Sequence, residues 1–262
     1  VSPQLCRPYD AARHGLNLGE ACGSLLLSGE YTPGCIAITG GSISNDANHI
    51  SGPSRTGDGL FYAIQHAMNE AGITTEQVDF VNAHGTATAY NDEMESKAIH
   101  WAGLQQVPVN SLKPYFGHTL GASGVIESIV CAHAMQQNMI PATLHFEQMG
   151  VPCPIVVEAT HRTGVRTDIC VKTASGFGGC NAAIVLQKNA LEEKPHPQLL
   201  PIHTIAHCRI ADGQIELDGQ NLFSCTPDTP FASFIRVAYK AIDGKNMKFY
   251  KMSDLCKTAY IA

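Results

Sequence analysis

A lysine, a histidine and a glutamate fall close together in Val109–Glu127, VNSLKPYFGHTLGASGVIE. Lys113, Gly117 and His118 form K-x-x-x-G-H, and Glu127 follows nine residues later. A second histidine stands upstream in Asn82-Ala83-His84-Gly85-Thr86. A neutral imidazole that aims an N–H at a carbonyl stabilises the negative charge developing on its oxygen, and two such donors make an oxyanion hole. Lys113 adds positive charge beside them, and Glu127 can hold that lysine as an ion pair. Glu127 also stands in an otherwise apolar stretch, and a buried carboxylate needs a partner. Gly85 and Gly117 are expected to let a ligand approach the backbone. Thr86 and Thr88, two apart on one loop, offer hydroxyls to an amide-bearing substrate arm. Phe177, in Gly176-Phe177-Gly178-Gly179, sets an aromatic ring on a glycine hinge, as a gate would. The expectation is one shared site.

The bulk numbers exclude several other classes. The chain has 262 residues, 44% of them hydrophobic and 15% charged, with a formal charge of −6. No lysine- or arginine-rich block exists to neutralise phosphates, so nucleic acid is not expected as a partner. No apolar run is long enough to span a bilayer, and no secretory signal is visible. Ten cysteines are scattered without any C-x-x-C. Reduced, buried thiols in a cytoplasmic protein are the expectation, with no metal.

The elements that must position the site read as alternating strands and helices. Residues 1–30 suggest two short strands around a tight turn. Cys35–Ile43 reads as a strand and Ser44–Thr56 as a surface loop. Gly57–Gly72 has Leu60, Phe61, Ile64, Ala67, Met68 and Ala71 at helical spacing, with Gly72 as a stop. Val78–Val81 is a strand, Ala83–Ala89 a loop, Asn91–Ala102 a helix and Val107–Val109 the next strand. Lys113–Thr119 reads as a loop. Gly121–Gln137 reads as a helix that is apolar almost all round, hence buried. Strands follow near Ile155–Val157, Ile169–Thr173 and Ala182–Leu186. Such alternation implies α/β layers, and both histidines then fall just past strand ends, where α/β folds build sites. Residues 189–201, with three prolines, read as a linker. Beyond it, His203–Arg209 and Gln214–Leu217 flank the turn Ala211-Asp212-Gly213, and Phe231–Ile242 reads as a helix. Residues 202–262 thus read as a small additional α+β tail of unassigned function, or as the start of a second domain.

In this order the motifs resemble one family. Arg7-Pro8-Tyr9-Asp10, Arg13-His14-Gly15, Gly19-Glu20, Asp46-Ala47-Asn48-His49, Asn82 through Thr88, Asp92, Lys113 through Glu127 and Gly176 through Asn181 together resemble the β-ketoacyl-(acyl-carrier-protein) synthases of the thiolase-like fold. The resemblance runs from about Cys6 to Lys188. It implies the C-terminal half of a layered α/β/α thiolase-like fold, with residues 1–33 as the end of the N-terminal half and 34–188 as the C-terminal domain. It also implies an acyltransferase that joins an acyl thioester to malonyl-acyl-carrier-protein by decarboxylative Claisen condensation, in fatty acid or polyketide-type biosynthesis. His84 and His118 would stabilise the enolate oxygen, and Lys113 with Glu127 would organise them. Thr86 and Thr88 would hold the phosphopantetheine arm of the carrier, and Phe177 would gate acyl entry. No cofactor is implied beyond that arm. Partners would be the acyl carrier protein and a synthase-like subunit, in a homodimer or heterodimer. In the family the nucleophilic cysteine lies upstream of the Arg-Pro-Tyr-Asp motif, where this chain has only Val1–Cys6, so the nucleophile is expected to be absent from it. The alternative is a non-catalytic, chain-length-factor-like partner subunit.

Overall fold

In the computed structural model of the chain, residues 1–29, 34–188, 208–217, 219–226 and 228–241 are described, together with 249 and 257. The chain divides into two compact units, Val1–Glu192 and Glu193–Ala262. The linker expected over 189–201 lies outside the described residues, as does most of the chain beyond 241.

In the first unit the strands are β1 (Ile36–Asn45), β2 (Phe80–Asn82), β3 (Pro108–Asn110), β4 (Met139–Ile140), β5 (Val156–Val157), β6 (Arg162–Thr163), β7 (Ile169–Gly176) and β8 (Cys180–Lys188). The helices are α1 (Asp58–Ala71), α2 (Ala89–Trp101), α3 (Lys113–Phe116) and α4 (Ser123–Gln136). Six strands form one sheet in the order β1-β8-β7-β2-β3-β5. β1, β8 and β7 run antiparallel, whereas β7, β2, β3 and β5 run parallel.

Side chains on a strand alternate between faces, and the register makes this visible. Val81 pairs with Val171, which pairs with Val185, and all three enter the core formed with Leu60, Ile64, Met94 and Ile99 of α1 and α2. One residue back, Phe80, Cys170 and Leu186 form the next row and enter the opposite core with Cys131 and Met135 of α4. The sheet is therefore covered on both faces, which is the expected α/β/α layering.

α1 forms where expected. Its apolar positions recur at helical spacing, and Gly57 and Gly72 flank it in the left-handed region, at φ 82° and 65°. Gly72 N–H donates to Asn69 O and Ile73 N–H to Met68 O, closing the last turn.

Four expectations differ from the structure. Residues 1–29 contain no strand pair; single bridges tie Asp10 to Met149 and Leu18 to His118. The segment is held by long-range contacts rather than by a local ladder. Asn17, for example, accepts from Cys6 N–H and donates to the carbonyls of Ser2 and Gln4. Lys113–Phe116 is a short helix rather than part of a loop, with Pro114 in its first turn. α4 is preceded by a 3₁₀ turn at Leu120–Ala122. Its buried residues form a stripe (Ser123, Glu127, Ser128, Cys131, Ala134, Met135), while Val125, Ile126 and Ile129 are half-buried. The helix is thus buried along one face, not all round.

In the second unit, β9 (Cys208–Ala211), β10 (Gln214–Leu217) and β11 (Gln220–Ser224) form an antiparallel meander, and α5 spans Phe231–Ala241. The expected turn at Asp212-Gly213 is present, both residues at positive φ. Ile215, Phe234, Ile235, Ala238, Tyr239 and Phe249 make its core, with Tyr239 stacked on Phe249 at 3.7 Å.

β1 carries a register shift between Ile38 and Gly40, where α1 lies directly on the strand. A Cβ at Gly40 would sit 2.1 Å from the Ala67 carbonyl oxygen. Gly40→Ala is expected to cost about 1–3 kcal/mol, the range for forcing extra volume into a packed interface. Urea unfolding measures it, and an unchanged midpoint contradicts the packing.

Candidate active site

The structure brings four of the residues singled out in the sequence together. Lys113 opens α3 and is wholly buried; its Nζ donates to Glu127 Oε1, to the His84 carbonyl at 2.9 Å, and to His84 Nδ1 at 3.4 Å. The His84 and His118 rings meet edge to face, 5.0 Å between centroids. Glu127 reaches up from α4 with no exposed surface.

The hydrogen bonds fix the tautomers. An ammonium can only donate, so His84 Nδ1 accepts from Lys113 and its proton sits on Nε2. His118 Nδ1 lies 3.2 Å from the Leu120 N–H, which also can only donate, and 2.9 Å from Ser123 Oγ. His118 therefore carries its proton on Nε2 as well. Among the described residues neither Nε2 has a hydrogen-bond partner. Both imidazoles are held neutral. Burial, then the charge of Lys113, pushes His118 down to about 4 and His84 well below the ordinary histidine range. In Glu127, burial opposes ionisation, but the ammonium groups of Lys172 and Lys113 outweigh it, so its pKa lies below the usual carboxylate value.

Each histidine sits where it does because of its own loop. β2 ends at Asn82, and the following backbone is captured by α2. Glu95, fully buried, accepts from His84 N–H at 2.7 Å, Gly85 N–H at 2.8 Å, Tyr9 OH at 2.6 Å and Thr173 Oγ1 at 2.8 Å. Asp92, one turn earlier, accepts from Tyr9 N–H at 2.8 Å and Thr86 N–H at 3.0 Å. Burial pushes the Asp92 carboxyl up to about 7, against the pull of the Tyr9 N–H. On the other loop, His118 N–H donates to Asn17 O and Gly19 N–H to His118 O. Tyr9, Ala87 and Leu120 occupy the left-handed region, at φ 63°, 58° and 52°. Such positions cost on the order of 1 kcal/mol or more each and cluster at functional sites.

The two neighbouring glycines allow close packing of protein against protein. A Cβ at Gly85 would lie 2.6 Å from Ser111 Cβ, and one at Gly117 would lie 2.7 Å from the Gly19 nitrogen. Protein fills the space that a side chain would need at each, and both residues are at positive φ.

The remaining candidates are less closely gathered. Thr86 Oγ1 and Thr88 Oγ1 pair with each other at 2.7 Å beside His84. Phe177 lies in the β7–β8 turn, its side chain 79% exposed, and makes no ring contact with either histidine. Sequence reasoning missed Glu95, Tyr9 and Lys172 as members of the cluster and gave no role to Asp92. Cys6 lies near this site, its Sγ 3.9 Å from the Thr86 carbonyl. Burial pushes its thiol up to about 11, and it pushes Cys170 up as well, so neither is poised as a thiolate. No group of three or more His, Cys, Asp and Glu side chains among the described residues is arranged to hold a metal, and no described helix is long and apolar enough to cross a membrane.

Residues 36–147 match the family described as β-ketoacyl synthase, C-terminal domain. The 3-oxoacyl-[acyl-carrier-protein] synthase 2 of Vibrio harveyi is 34% identical over 197 residues, covering 70% of this chain and 47% of the relative. The synthase of the same name from Rhizobium meliloti is 33% identical over 191 residues, with 70% and 45% covered. A solved ketosynthase in complex with its chain length factor, from Xenorhabdus doucetiae, superposes with a TM-score of 0.65 at 32% identity, covering 72% of this chain and 47% of that one. The chain spans about half the length of the curated relatives it matches. With the covered sheet, the ordered motifs and these matches in agreement, the chain belongs to the β-ketoacyl synthase family as a C-terminal portion of its thiolase-like fold.

Proposed function

We propose that this chain supplies the decarboxylation and enolate-stabilising part of a condensing site that acts on thioesters of an acyl carrier protein. The observation that carries the reading is the pair of neutral imidazoles whose Nε2–H groups have no partner among the described residues, each tautomer enforced by a donor at Nδ1. In the malonyl thioester the bond to the carboxylate breaks, carbon dioxide leaves, and the electron pair moves onto the thioester oxygen as an enolate. His84 and His118 donate to that oxygen without giving up a proton, because an oxyanion is best met by fixed dipoles already in place. The enolate carbon then attacks an acyl thioester and expels its thiolate. Lys113 acts by holding His84 through both its ring and its carbonyl, and Glu127 holds Lys113. Thr86 and Thr88 hold the phosphopantetheine arm, and Phe177 on its glycine turn gates acyl entry.

The carrier-protein names of the relatives support an acyl carrier protein as partner. The ketosynthase–chain length factor relative supports a synthase-like subunit as the other, in a homodimer or heterodimer. That relative also suggests a second reading, a non-catalytic partner subunit. The complete two-histidine cluster favours the catalytic one, since a subunit without chemistry has no need of two neutral imidazoles, one buried and one half-buried, and the ion pair behind them.

Malonyl-carrier decarboxylation tests the reading. His84→Ala and His118→Ala are each expected to slow it about 100- to 1,000-fold, the usual loss of one oxyanion donor; unchanged rates in both sink the proposal. The pH dependence has a fixed sign. His118 must be neutral, and its pKa is lowered to about 4, so activity is lost as pH falls through about 4. Between about pH 5 and 7 the rate is then flat on its account. A decline centred near 6.5, the ordinary histidine value, contradicts this half-buried, cation-flanked setting. Thr86→Val and Thr88→Val are expected to raise KM for the carrier thioester more than they lower kcat, the pattern for lost uniform binding.

A further inference from the structure

Glu127 has two cations, and the chemistry above uses only one. Lys172 comes from β7 with its side chain 3% exposed, and its Nζ donates to Glu127 Oε2 at 2.6 Å and to the Thr173 carbonyl. The two ammonium groups take different carboxylate oxygens, since Lys113 holds Oε1. One carboxylate faces two lysines, so Lys172 brings a positive charge that pairing with Lys113 alone would not require. Burying a second ammonium costs desolvation that a single Lys113–Glu127 pair would avoid. Its neighbours do not call for it either: Lys172 projects on the face of the sheet where Phe80, Cys170 and Leu186 form an apolar core.

Its place relative to the site is informative. Lys172 is in register with Asn82 on the next strand, two residues before His84. Lys113 touches His84, and Lys172 touches neither histidine; it reaches them only through Glu127 and through space. The charged and titratable groups around the pair are Lys113 from α3, Glu127 from α4, Asp92 and Glu95 from α2, Cys170 from β7, and Tyr9 and Cys6 from the N-terminal segment. Positive charge close to an imidazole disfavours its protonation. Burial and Lys113 act on both rings, and Lys172 adds to them in each case.

We propose that Lys172 is a positioning residue of this site: a second buried ammonium that takes the other oxygen of Glu127 and adds positive charge beside both imidazoles, so that they resist protonation and stay in the neutral, Nε2-protonated form. The proposal rests on the reading of His84 and His118 as neutral donors, but not on the reaction they serve. Removing Lys172 leaves Glu127 paired with Lys113, so no carboxylate is stranded and the fold should survive. Removing Lys113 would instead take away the contact with His84 itself.

The test is the histidine titration of the chain followed by ¹⁵N NMR, which needs no turnover. Lys172→Met is expected to raise the protonation midpoints of His84 and His118 by at least about half a pH unit, and Lys172→Arg to restore them. Lys172→Gln serves in the same way if the Met variant does not fold. Midpoints that stay in place when the charge is removed overturn the proposal, as does a shift that Lys172→Arg fails to reverse. The decarboxylation assay separates the two readings. Loss of rate in His84→Ala with unmoved midpoints in Lys172→Met defeats the role of Lys172 alone, whereas moved midpoints with no effect of His84→Ala on rate leave Lys172 standing and defeat the reaction.

Discussion

A carboxylate with no exposed surface cannot remain ionised without cations beside it, and Glu127 is that constraint here. Its oxygens fix where Lys113 and Lys172 must end. Lys113 in turn donates to Glu127 and to the carbonyl and Nδ1 of His84. The tautomer of His84 follows from that contact. One buried ion cluster thus ties α3, α4, β7 and the loop after β2 into a single unit. The short side-chain distances matter less than this order of dependence, from carboxylate to ammonium to imidazole.

The scaffold serves that cluster from both faces of one sheet. α4 delivers Glu127 from one side, and α2 delivers Asp92 and Glu95 from the other, where they seize the backbone N–H groups of the His84 loop. The N-terminal segment closes the arrangement through Tyr9 and through the backbone of Asn17 and Gly19. Glycine is needed where these chains touch. A Cβ at Gly19 would lie 1.8 Å from the Phe116 carbonyl oxygen, so the approach that sets His118 in place tolerates no side chain there.

Much of this is legible in the sequence, for definite reasons. Lys113, His118 and Glu127 lie within one turn-and-helix span, and His84 stands in a glycine-flanked loop after an apolar strand, so local spacing alone gathers them. α1 is legible because periodicity and two terminal glycines agree. Glu95 is not, because a glutamate in a helix with charged residues nearby reads as a solvated face, and only the fold buries it. Lys172 is hidden by alternation. In Val171-Lys172-Thr173 a lysine looks like the outward residue of a half-exposed strand, but this sheet is covered on both sides, so its alternate face is also interior. The first 29 residues resist a local reading because their pairing partners, His118 and Met149, are about a hundred residues or more away. Glycine beside a histidine signals close approach, and at Gly85 and Gly117 protein makes that approach.

The central claim is that His84 and His118 stand as neutral imidazoles protonated on Nε2 and free to donate to one oxyanion. The ¹⁵N chemical shifts of the two rings at neutral pH test it directly, because they distinguish imidazolium from each neutral tautomer. An unprotonated Nδ1 and a protonated Nε2 are expected in both residues. A charged ring in either residue, or a proton on Nδ1, contradicts it.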